Sequence, residues 1–276
     1  MERDAVRDYY DGVGAREWAR LARPKDGALE FAINRRVIAA HLAPASRVLD
    51  LGGGPGRYAL WLAEEGHRVT LADLSPGLLA LARAQVAASP VAGRIEAIVE
   101  ADARDLSRWT DGHFDAALVL GPFYHLPDPA ERAGAARELA RVVRQGGIVF
   151  VALMPRLALL RRTIADPAER AHLSAPGFLA RLLDEGIFDN DQPGRFTGGY
   201  GVRPEEVGPF FARAGFAQLA LLSSESAAPD LQGELATMAT IAPEHYAAAL
   251  ETLLSVAGEP GILGLANHLL YVGRRE

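Results

Sequence analysis

The stretch Val48–Pro76, VLDLGGGPGRYALWLAEEGHRVTLADLSP, decides the fold of this chain. Glycines at positions 52, 53, 54 and 56 follow a short apolar run and precede a pattern typical of a helix. Glycine allows the backbone to turn tightly and to approach a ligand closely. A strand, a glycine turn and a helix in this order predict a ligand site at the carboxyl end of the first strand.

Two common phosphate-binding loops fit this stretch poorly. The dinucleotide pattern G-x-G-x-x-G has Arg57 in its third place when it starts at Gly52, and Ala59 there when it starts at Gly54, two residues late. No G-K-[ST] follows the glycines, which excludes a P-loop. Asp50 lies in the strand just before the glycines, where a carboxylate repels a pyrophosphate and attracts an ammonium or sulfonium group.

Apolar runs of strand length alternate with helical patterns along most of the chain. This alternation predicts an α/β fold with a doubly wound, seven-stranded sheet that helices cover on both faces. The helix after the second strand is expected to begin with Ser75 as its cap and Pro76 as its first residue. The strands are predicted at 47–51, 68–74, 94–102, 114–121, 146–154, 216–223 and 267–275.

Two segments depart from this rhythm. Residues 1–28 form an aromatic leading segment before the helix at 28–42, and residues 155–203 contain helical patches and a glycine-rich TGGYG. We interpret the second segment as a helical cap inserted at the ligand edge of the sheet. The chain is therefore expected to be a single domain, 1–276, with a leading segment and a cap.

Composition excludes several kinds of site. The chain has no cysteine, which removes disulfides, thiolate metal sites and cysteine nucleophiles. The formal net charge of −6 argues against a nucleic-acid partner. No signal-peptide pattern and no apolar run long enough to span a membrane is found in the sequence, so a cytoplasmic location is expected.

The glycine stretch resembles motif I of the class I S-adenosylmethionine (SAM) methyltransferases, whose pattern is hh-[DE]-h-G-x-G-x-G. The resemblance continues through EADARDL (100–106), FDAALVLGPFYHL (114–126) and ARVVRQGGIVFVA (140–152). These four motifs occur in order, each at the carboxyl edge of a predicted strand. The resemblance implies a Rossmann-like methyltransferase sheet, SAM as the cofactor and S-adenosylhomocysteine as the product.

The resemblance also implies a role for each cofactor-binding residue. Asp50 would orient the amino group of SAM, Asp73 would accept hydrogen bonds from both ribose hydroxyls, and Asp102 with Ala103 would meet the exocyclic amine of adenine. The remaining contacts would come from Gly52, Gly53 and Gly54 beside the methionine chain, Leu74 on adenine, and Leu120 with Gly121 at the end of the fourth strand. Alternatively, Asp73 caps the helix at Ser75, and Asp102 caps the turn that follows it.

The segment GPFYHL (121–126) is the expected acceptor end of the site. His125 is the candidate base and Tyr124 the candidate orienting group, whereas Phe123 or Tyr124 would shape the pocket. The alternative for His125 is a backbone hydrogen bond in a tight turn. No clustered set of metal ligands follows the strand, so no metal is expected.

The leading segment closes over the cofactor in similar methyltransferases. By that resemblance Tyr9 or Tyr10 would contact SAM or the acceptor, and Arg20 would pair with a carboxylate. Alternatively, the segment is an amphipathic helix that buries Tyr9, Tyr10 and Trp18 against the core. In the cap, possible substrate contacts are Phe196, Tyr200 and Arg203.

The resemblance implies a SAM-dependent methyltransferase that acts on O or N of a small molecule, and it associates this function with secondary metabolism. Cytosine-C5 and arsenic methyltransferases require cysteine, so the absence of cysteine argues against both classes. Enzymes that methylate base amines carry [DN]-P-P-[YF] at the fourth strand, whereas this chain has GPFY with Gly121 in the first position, which argues against that class as well. One alternative is an RNA or protein methyltransferase with a basic surface at Arg156, Arg161 and Arg162. Others are a SAM-binding protein without turnover and a nicotinamide dehydrogenase. No feature of the sequence indicates an oligomeric state.

Overall fold

The computed structural model describes residues 3–23, 27–190 and 198–276. Strands and helices alternate along it, as the sequence predicts. The strands are β1 (Arg47–Leu51), β2 (Arg68–Asp73), β3 (Ile95–Glu100), β4 (Phe114–Val119), β5 (Val143–Pro155), β6 (Ile187–Phe188), β7 (Gly199–Val202), β8 (Phe216–Ser223) and β9 (Leu269–Arg275). The helices are α1 (Arg3–Arg20), α2 (Ala28–His41), α3 (Arg57–Glu64), α4 (Pro76–Ala87), α5 (Pro129–Val142), α6 (Arg156–Ala165), α7 (Phe178–Ala180), α8 (Pro204–Ala212), α9 (Gln232–Ile241), α10 (Pro243–Val256) and α11 (Pro260–Leu265).

The seven predicted strands form the main sheet, in the order β3-β2-β1-β4-β5-β9-β8. The first five run parallel, and β9 inserts antiparallel between β5 and β8. The strand order reverses between β1 and β4, and a crevice opens at the carboxyl ends of strands at such a point. The predicted doubly wound α/β fold is confirmed.

The core lies on both faces of this sheet, because helices cover both faces of its central parallel strands. Leu49 and Leu51 of β1 pack with α5 and α8 on one face, whereas Val48 packs with α2 and α3 on the other. Burial of this kind stabilises a fold by about 25 cal/mol per Å² of apolar surface. The apolar runs of the sequence therefore correspond to strands that are buried on both sides.

Side-chain caps fix where two of the helices begin. The Ser75 hydroxyl accepts a hydrogen bond from the N–H of Leu78 at 3.0 Å, and Pro76 is the first residue of α4, as predicted. Asp128 accepts hydrogen bonds from the N–H groups of Ala130 and Glu131 at the start of α5, at 2.7 and 2.9 Å.

The predicted cap at 155–203 is only partly helical. It contains α6, α7 and short helical turns, and its strand β7 is a third pairing partner of β5, besides β4 and β9. Strand β5 is longer than predicted, and Met154 and Pro155 at its end pair with β7. The aromatic side chains of Phe178 and Phe188 form a separate small core beneath this segment.

Proline and glycine interrupt two helical regions of the chain. Helix α9 ends just before α10 begins at Pro243, because proline cannot donate a backbone hydrogen bond. Gly14 breaks the regular path of α1 with a φ of 40°. None of the helices in the described residues is both long enough and apolar enough to span a bilayer.

Candidate active site

A cleft of about 1180 Å³, measured with its open mouth, lies at the carboxyl ends of β1, β2 and β4. It collects most of the residues that the sequence motifs indicate, although they are far apart in the chain. The predicted site residues that line it are Arg20, Asp50, Gly52, Gly53, Gly54, Asp73, Leu74, Asp102, Ala103, Leu120, Gly121, Tyr124 and His125. Tyr9 is not among the lining residues, and Tyr10 takes its place.

The glycine turn leaves no space for side chains. A Cβ atom on Gly52 would lie 2.6 Å from Cδ of Pro122, and one on Gly53 would lie 2.6 Å from Oδ2 of Asp50. Gly52 and Gly54 also have φ values of 72° and 54°, which side chains rarely tolerate. The turn therefore requires glycine for packing and for backbone conformation, and it exposes main chain to the cleft.

Asp50 is a buried carboxylate beside this turn. Its side chain is 1% exposed, and Oδ2 has no hydrogen-bond partner among the described residues. Burial, followed by repulsion from Asp73, raises the pKa of Asp50 to about 7, although the N–H of Ala59 acts in the opposite direction. A buried acceptor without a donor is costly, so Asp50 is suited to a ligand that brings an ammonium group.

Asp73 takes the capping role that the sequence offered as an alternative, and it also lines the cleft. Its Oδ1 accepts from the N–H of Ser75 and its Oδ2 from the N–H of Gly54, both at 2.8 Å. Burial raises the pKa of Asp73 to about 6 despite these bonds. Asp73 thus orders both the start of α4 and the glycine turn, while each carboxylate oxygen keeps a lone pair for a further donor in the cleft.

The predicted adenine end of the cleft lies after β3. Ala103 is buried there and Leu74 is half-buried. Asp102 accepts from the backbone N–H of Arg104 at 2.9 Å and pairs with its guanidinium at 2.7 Å. Arg104 in turn reaches Glu131 of α5 at 2.5 Å. The capping alternative for Asp102 is therefore realised, in a residue that also lines the cleft.

The turn Pro122–His125 follows β4 and carries the two candidate catalytic residues. His125 is buried, and its Nε2 is hydrogen-bonded to the Tyr10 hydroxyl at 2.8 Å. Burial lowers the pKa of His125 to about 3, so the imidazole is neutral at pH 7. Burial also raises the pKa of Tyr124, whose hydroxyl is hydrogen-bonded to the side chain of Tyr10.

Helix α1 is attached above the cleft at two places. Asp11 is hydrogen-bonded to the hydroxyl of Ser75 and accepts from the N–H of Gly77 at 2.9 Å. Arg57 lies over the ring of Trp18 at 4.2 Å and donates to its carbonyl at 3.0 Å.

The aromatic residues of α1 divide between the two predicted roles. Tyr10 lines the cleft, whereas Tyr9 packs on the apolar cluster beneath the cap, as the amphipathic alternative expects.

Arg20 belongs to a buried charge network that the sequence motifs did not indicate. It donates to Glu17 and to Glu30, both at 2.9 Å. His268 lies 3.7 Å from Glu30 and 3.2 Å from Glu225. Burial acts to lower the pKa of His268, but the two carboxylates outweigh it and raise that pKa above its usual value. The network closes the cleft beneath α1.

The signal in the sequence that could have revealed this network is an acidic residue on the apolar face of a helix. Glu30 lies on the buried face of α2 with Ile33, Asn34 and Val37. Glu30, Glu225 and His268 are also spaced closely enough to hold a metal ion. The guanidinium of Arg20 already pairs with Glu30, so a metal ion at this place would compete with it.

The cap residues lie outside this cleft. Tyr200 packs against Arg132, and the guanidinium carbon of Arg132 lies 3.4 Å from the centre of the Tyr200 ring. Arg203 donates to the carbonyl of Leu183 at 2.9 Å. Neither side chain lines the cleft, and Phe196 lies outside the described residues. Their predicted contact with substrate stays a prediction.

The sequence and the fold are similar to those of known methyltransferases. Residues 48–147 match the family described as "Methyltransferase domain". The chain is 35% identical over 157 residues to a ubiquinone biosynthesis O-methyltransferase of Xanthomonas campestris pv. campestris (strain B100). That alignment covers 54% of this chain and 57% of the relative, so the chain spans little more than half the length of the curated protein it matches.

Solved structures share the fold at low sequence identity. A methyltransferase structure from Methanosarcina mazei has a TM-score of 0.58 at 18% identity and covers 87% of this chain and 96% of its own. The 1,6-didemethyltoxoflavin-N1-methyltransferase of Burkholderia thailandensis, solved with S-adenosylhomocysteine, has a TM-score of 0.56 at 17% identity. The match covers 99% of this chain and 88% of that enzyme. Residues 48–147 of this chain therefore resemble a methyltransferase domain, and the chain has the fold of solved methyltransferase structures.

Proposed function

We propose that the chain binds SAM in this cleft and transfers its methyl group to an oxygen or nitrogen of a small molecule. One observation carries the proposal: the buried carboxylates of Asp50 and Asp73 lie on either side of the Gly52–Gly54 turn within a single cleft. Two buried carboxylates beside exposed main chain suit a ligand that carries an ammonium, a sulfonium and hydroxyl donors.

The lining residues fit the parts of such a ligand. We assign Asp50 Oδ2 as the acceptor for the amino group, because this atom has no hydrogen-bond partner among the described residues. Asp73 has remaining lone pairs for the ribose hydroxyls, and Leu74 with Ala103 provides apolar surface for the adenine. Arg20 is the cation available to a ligand carboxylate, in spite of its bonds to Glu17 and Glu30.

The acceptor end of the cleft is formed by Tyr10, Tyr124 and His125. SAM supplies an already activated methyl group when it is bound, so the protein acts chiefly by alignment and by exclusion of water. In our proposal Tyr124 orients the acceptor, and the neutral imidazole of His125 receives its proton directly or through water. The low pKa of His125 favours an acceptor whose proton leaves late, after the new bond has begun to form.

Oxygen is the acceptor atom that the comparisons favour, because the curated relative is named an O-methyltransferase. The RNA or protein alternative requires an exposed basic surface. Arg156 is buried and bonded to Glu206 at 2.8 Å, and Arg161 lies 3.7 Å from Asp230. We also propose that the chain is a single domain with a cap at 155–203 and that the protein is cytoplasmic.

The test uses the purified chain, SAM labelled in its methyl group and a desalted bacterial extract separated by size. Label in the low-molecular-weight fraction, absent with Asp50→Asn, is the expected result. Label only in RNA or protein would contradict the small-molecule acceptor and retain the cofactor. Calorimetry with S-adenosylhomocysteine decides the cofactor separately, because no binding would contradict the whole proposal.

A further inference from the structure

A second cavity of about 1120 Å³, measured with its mouth, lies between α5, α8 and β7. It shares no lining residue with the cleft. The turn after β4 separates the two: Tyr124 and His125 face the cleft, whereas Phe123 faces the second cavity. A ligand in this cavity would therefore be distinct from the cofactor and the acceptor.

The inner wall of the second cavity is aromatic. Phe123 packs edge-on against Phe210 and Phe211, with ring centres 6.2 and 5.4 Å apart. Tyr200 adds a fourth ring. Aromatic walls of this kind bind flat apolar groups by stacking and edge contacts.

The polar part of the wall is strongly positive. Arg132 is buried, yet its Nη1 donates only to neutral carbonyl oxygens, of Leu126 at 2.6 Å and Pro127 at 2.5 Å. No carboxylate of the described residues lies within 4.0 Å of its guanidinium nitrogens. Burial lowers the pKa of Arg132, although Tyr200 and the carboxylates of Asp128 and Glu206 act in the opposite direction.

Two further arginines lie at the mouth. Arg137 and Arg213 line the cavity with exposed side chains, and neither has an ion-pair partner in the described part of the chain. Glu206 is the one carboxylate among the lining residues, and it already accepts two hydrogen bonds from Arg156, at 2.9 and 2.8 Å. The lining therefore carries an excess of positive charge beside apolar walls.

We propose that this cavity binds a small organic anion with a flat, apolar body. The body lies against Phe123 and Phe210, and the acid group faces Arg132, Arg137 and Arg213. Attraction between opposite charges is stronger where water is excluded, and the aromatic surface adds the apolar contribution. Neutral flat molecules and small inorganic anions each lack one of these two contributions, so both bind less tightly.

The test compares two fluorescent probes with the same aromatic skeleton. One is the anionic 1-anilinonaphthalene-8-sulfonate, and the other is the neutral N-phenyl-1-naphthylamine. The sulfonate is expected to bind at a single site, at least about tenfold more tightly than the neutral probe, with an affinity that falls as salt is added. Saturating S-adenosylhomocysteine is expected to leave its binding unchanged, because the two sites share no residue.

Charge reversal at the mouth identifies the site. The double variant Arg137→Glu, Arg213→Glu is expected to bind the sulfonate at least about tenfold more weakly and to bind the neutral probe as before. Arg274→Glu is the matched control, since Arg274 is exposed and does not line the cavity. Both variants change exposed residues, so circular dichroism is expected to show an unchanged fold.

Two outcomes would overturn the inference. One is unchanged sulfonate affinity in the folded double variant, and the other is full displacement of the sulfonate by S-adenosylhomocysteine. Neither outcome bears on cofactor binding in the cleft, which calorimetry measures independently.

Discussion

The hydroxyl of Tyr10 lies 2.8 Å from Nε2 of His125, and this bond joins helix α1 to the turn after β4. The two residues are separated by 115 positions in the sequence. The bond brings the leading segment into the acceptor end of the cleft, next to Tyr124. His125 is buried and Tyr10 is half-buried, so the hydrogen bonding of His125 depends on the position of α1.

Replacement of His125 by Gln is expected to lower kcat at least about tenfold and to leave the Kd for S-adenosylhomocysteine within about threefold. His125 faces the acceptor end, whereas the cofactor contacts lie elsewhere in the cleft. The measurement combines steady-state rates, with the acceptor that the labelling experiment identifies, and calorimetry. Tyr10→Phe is the matched control, because it removes the hydrogen bond and retains the imidazole.

The dependence of rate on pH tests the environment of His125. Because burial lowers the pKa of His125 to about 3, protonation of this residue is not expected to reduce kcat/KM between pH 5 and 8. A rate limb near pH 6.5 that disappears in His125→Gln would show that His125 titrates normally.

Replacement of Asp73 by Ala is expected to weaken S-adenosylhomocysteine binding at least about tenfold. The variant loses charge-assisted hydrogen bonds to the ribose, worth about 1.5–3 kcal/mol each at most. It also frees the N–H groups of Gly54 and Ser75, so the turn loosens. Calorimetry with adenosine and its dideoxy analogue separates these effects, because only the ribose contact predicts that the variant no longer distinguishes the two ligands.

Replacement of Asp50 by Asn is expected to stabilise the ligand-free protein at pH 8 by about 1–3 kcal/mol. In the folded chain burial raises the pKa of Asp50 to about 7, above the value near 4 of an unfolded chain. The folded state therefore binds this proton more tightly, and the resulting stability is fully present below about pH 4 and lost as the pH rises through about 7. Urea unfolding of both proteins between pH 5 and 8 measures the difference.

Asp50→Asn is also expected to weaken S-adenosylhomocysteine binding about ten- to a hundredfold at pH 8, because a neutral amide cannot balance the positive charge of the ligand's ammonium group. Affinity of the parent protein should rise with pH through about 7, whereas that of the variant should not. Asp230→Asn is the exposed control, with a side chain 86% accessible. Equal affinity in parent and variant would remove Asp50 from the cofactor site.

Replacement of Arg132 by Met is expected to lower kcat about tenfold with little change in cofactor affinity. Arg132 holds the carbonyls of Leu126 and Pro127, which directly follow the catalytic turn, and it packs on Tyr200 of the cap. Loss of these bonds frees the turn that carries His125. Arg137→Met on the same helix is the control, and equal kcat in the two variants would contradict a positioning role for Arg132.

The strands were predictable because each leaves a local signature. A short, mostly apolar run such as Arg47–Leu51 is typical of a strand that is buried on both faces of a parallel sheet. The predicted bounds of this strand and of Phe216–Ser223 are those observed. The extra pairing of β5 with β7 was missed, because strand partners that are distant in the chain leave no periodic signal.

The sequence by itself determined the glycine turn, the carboxylates that flank it and the succession of strands and helices along the chain, since each depends on residue type and on local spacing. Only the tertiary structure decided that Tyr10 rather than Tyr9 faces the cleft, that Asp102 is paired with Arg104, and that Glu30 meets His268. The physical reason is that the direction of a side chain on a helix, and the burial that shifts its pKa, depend on which distant elements pack around it.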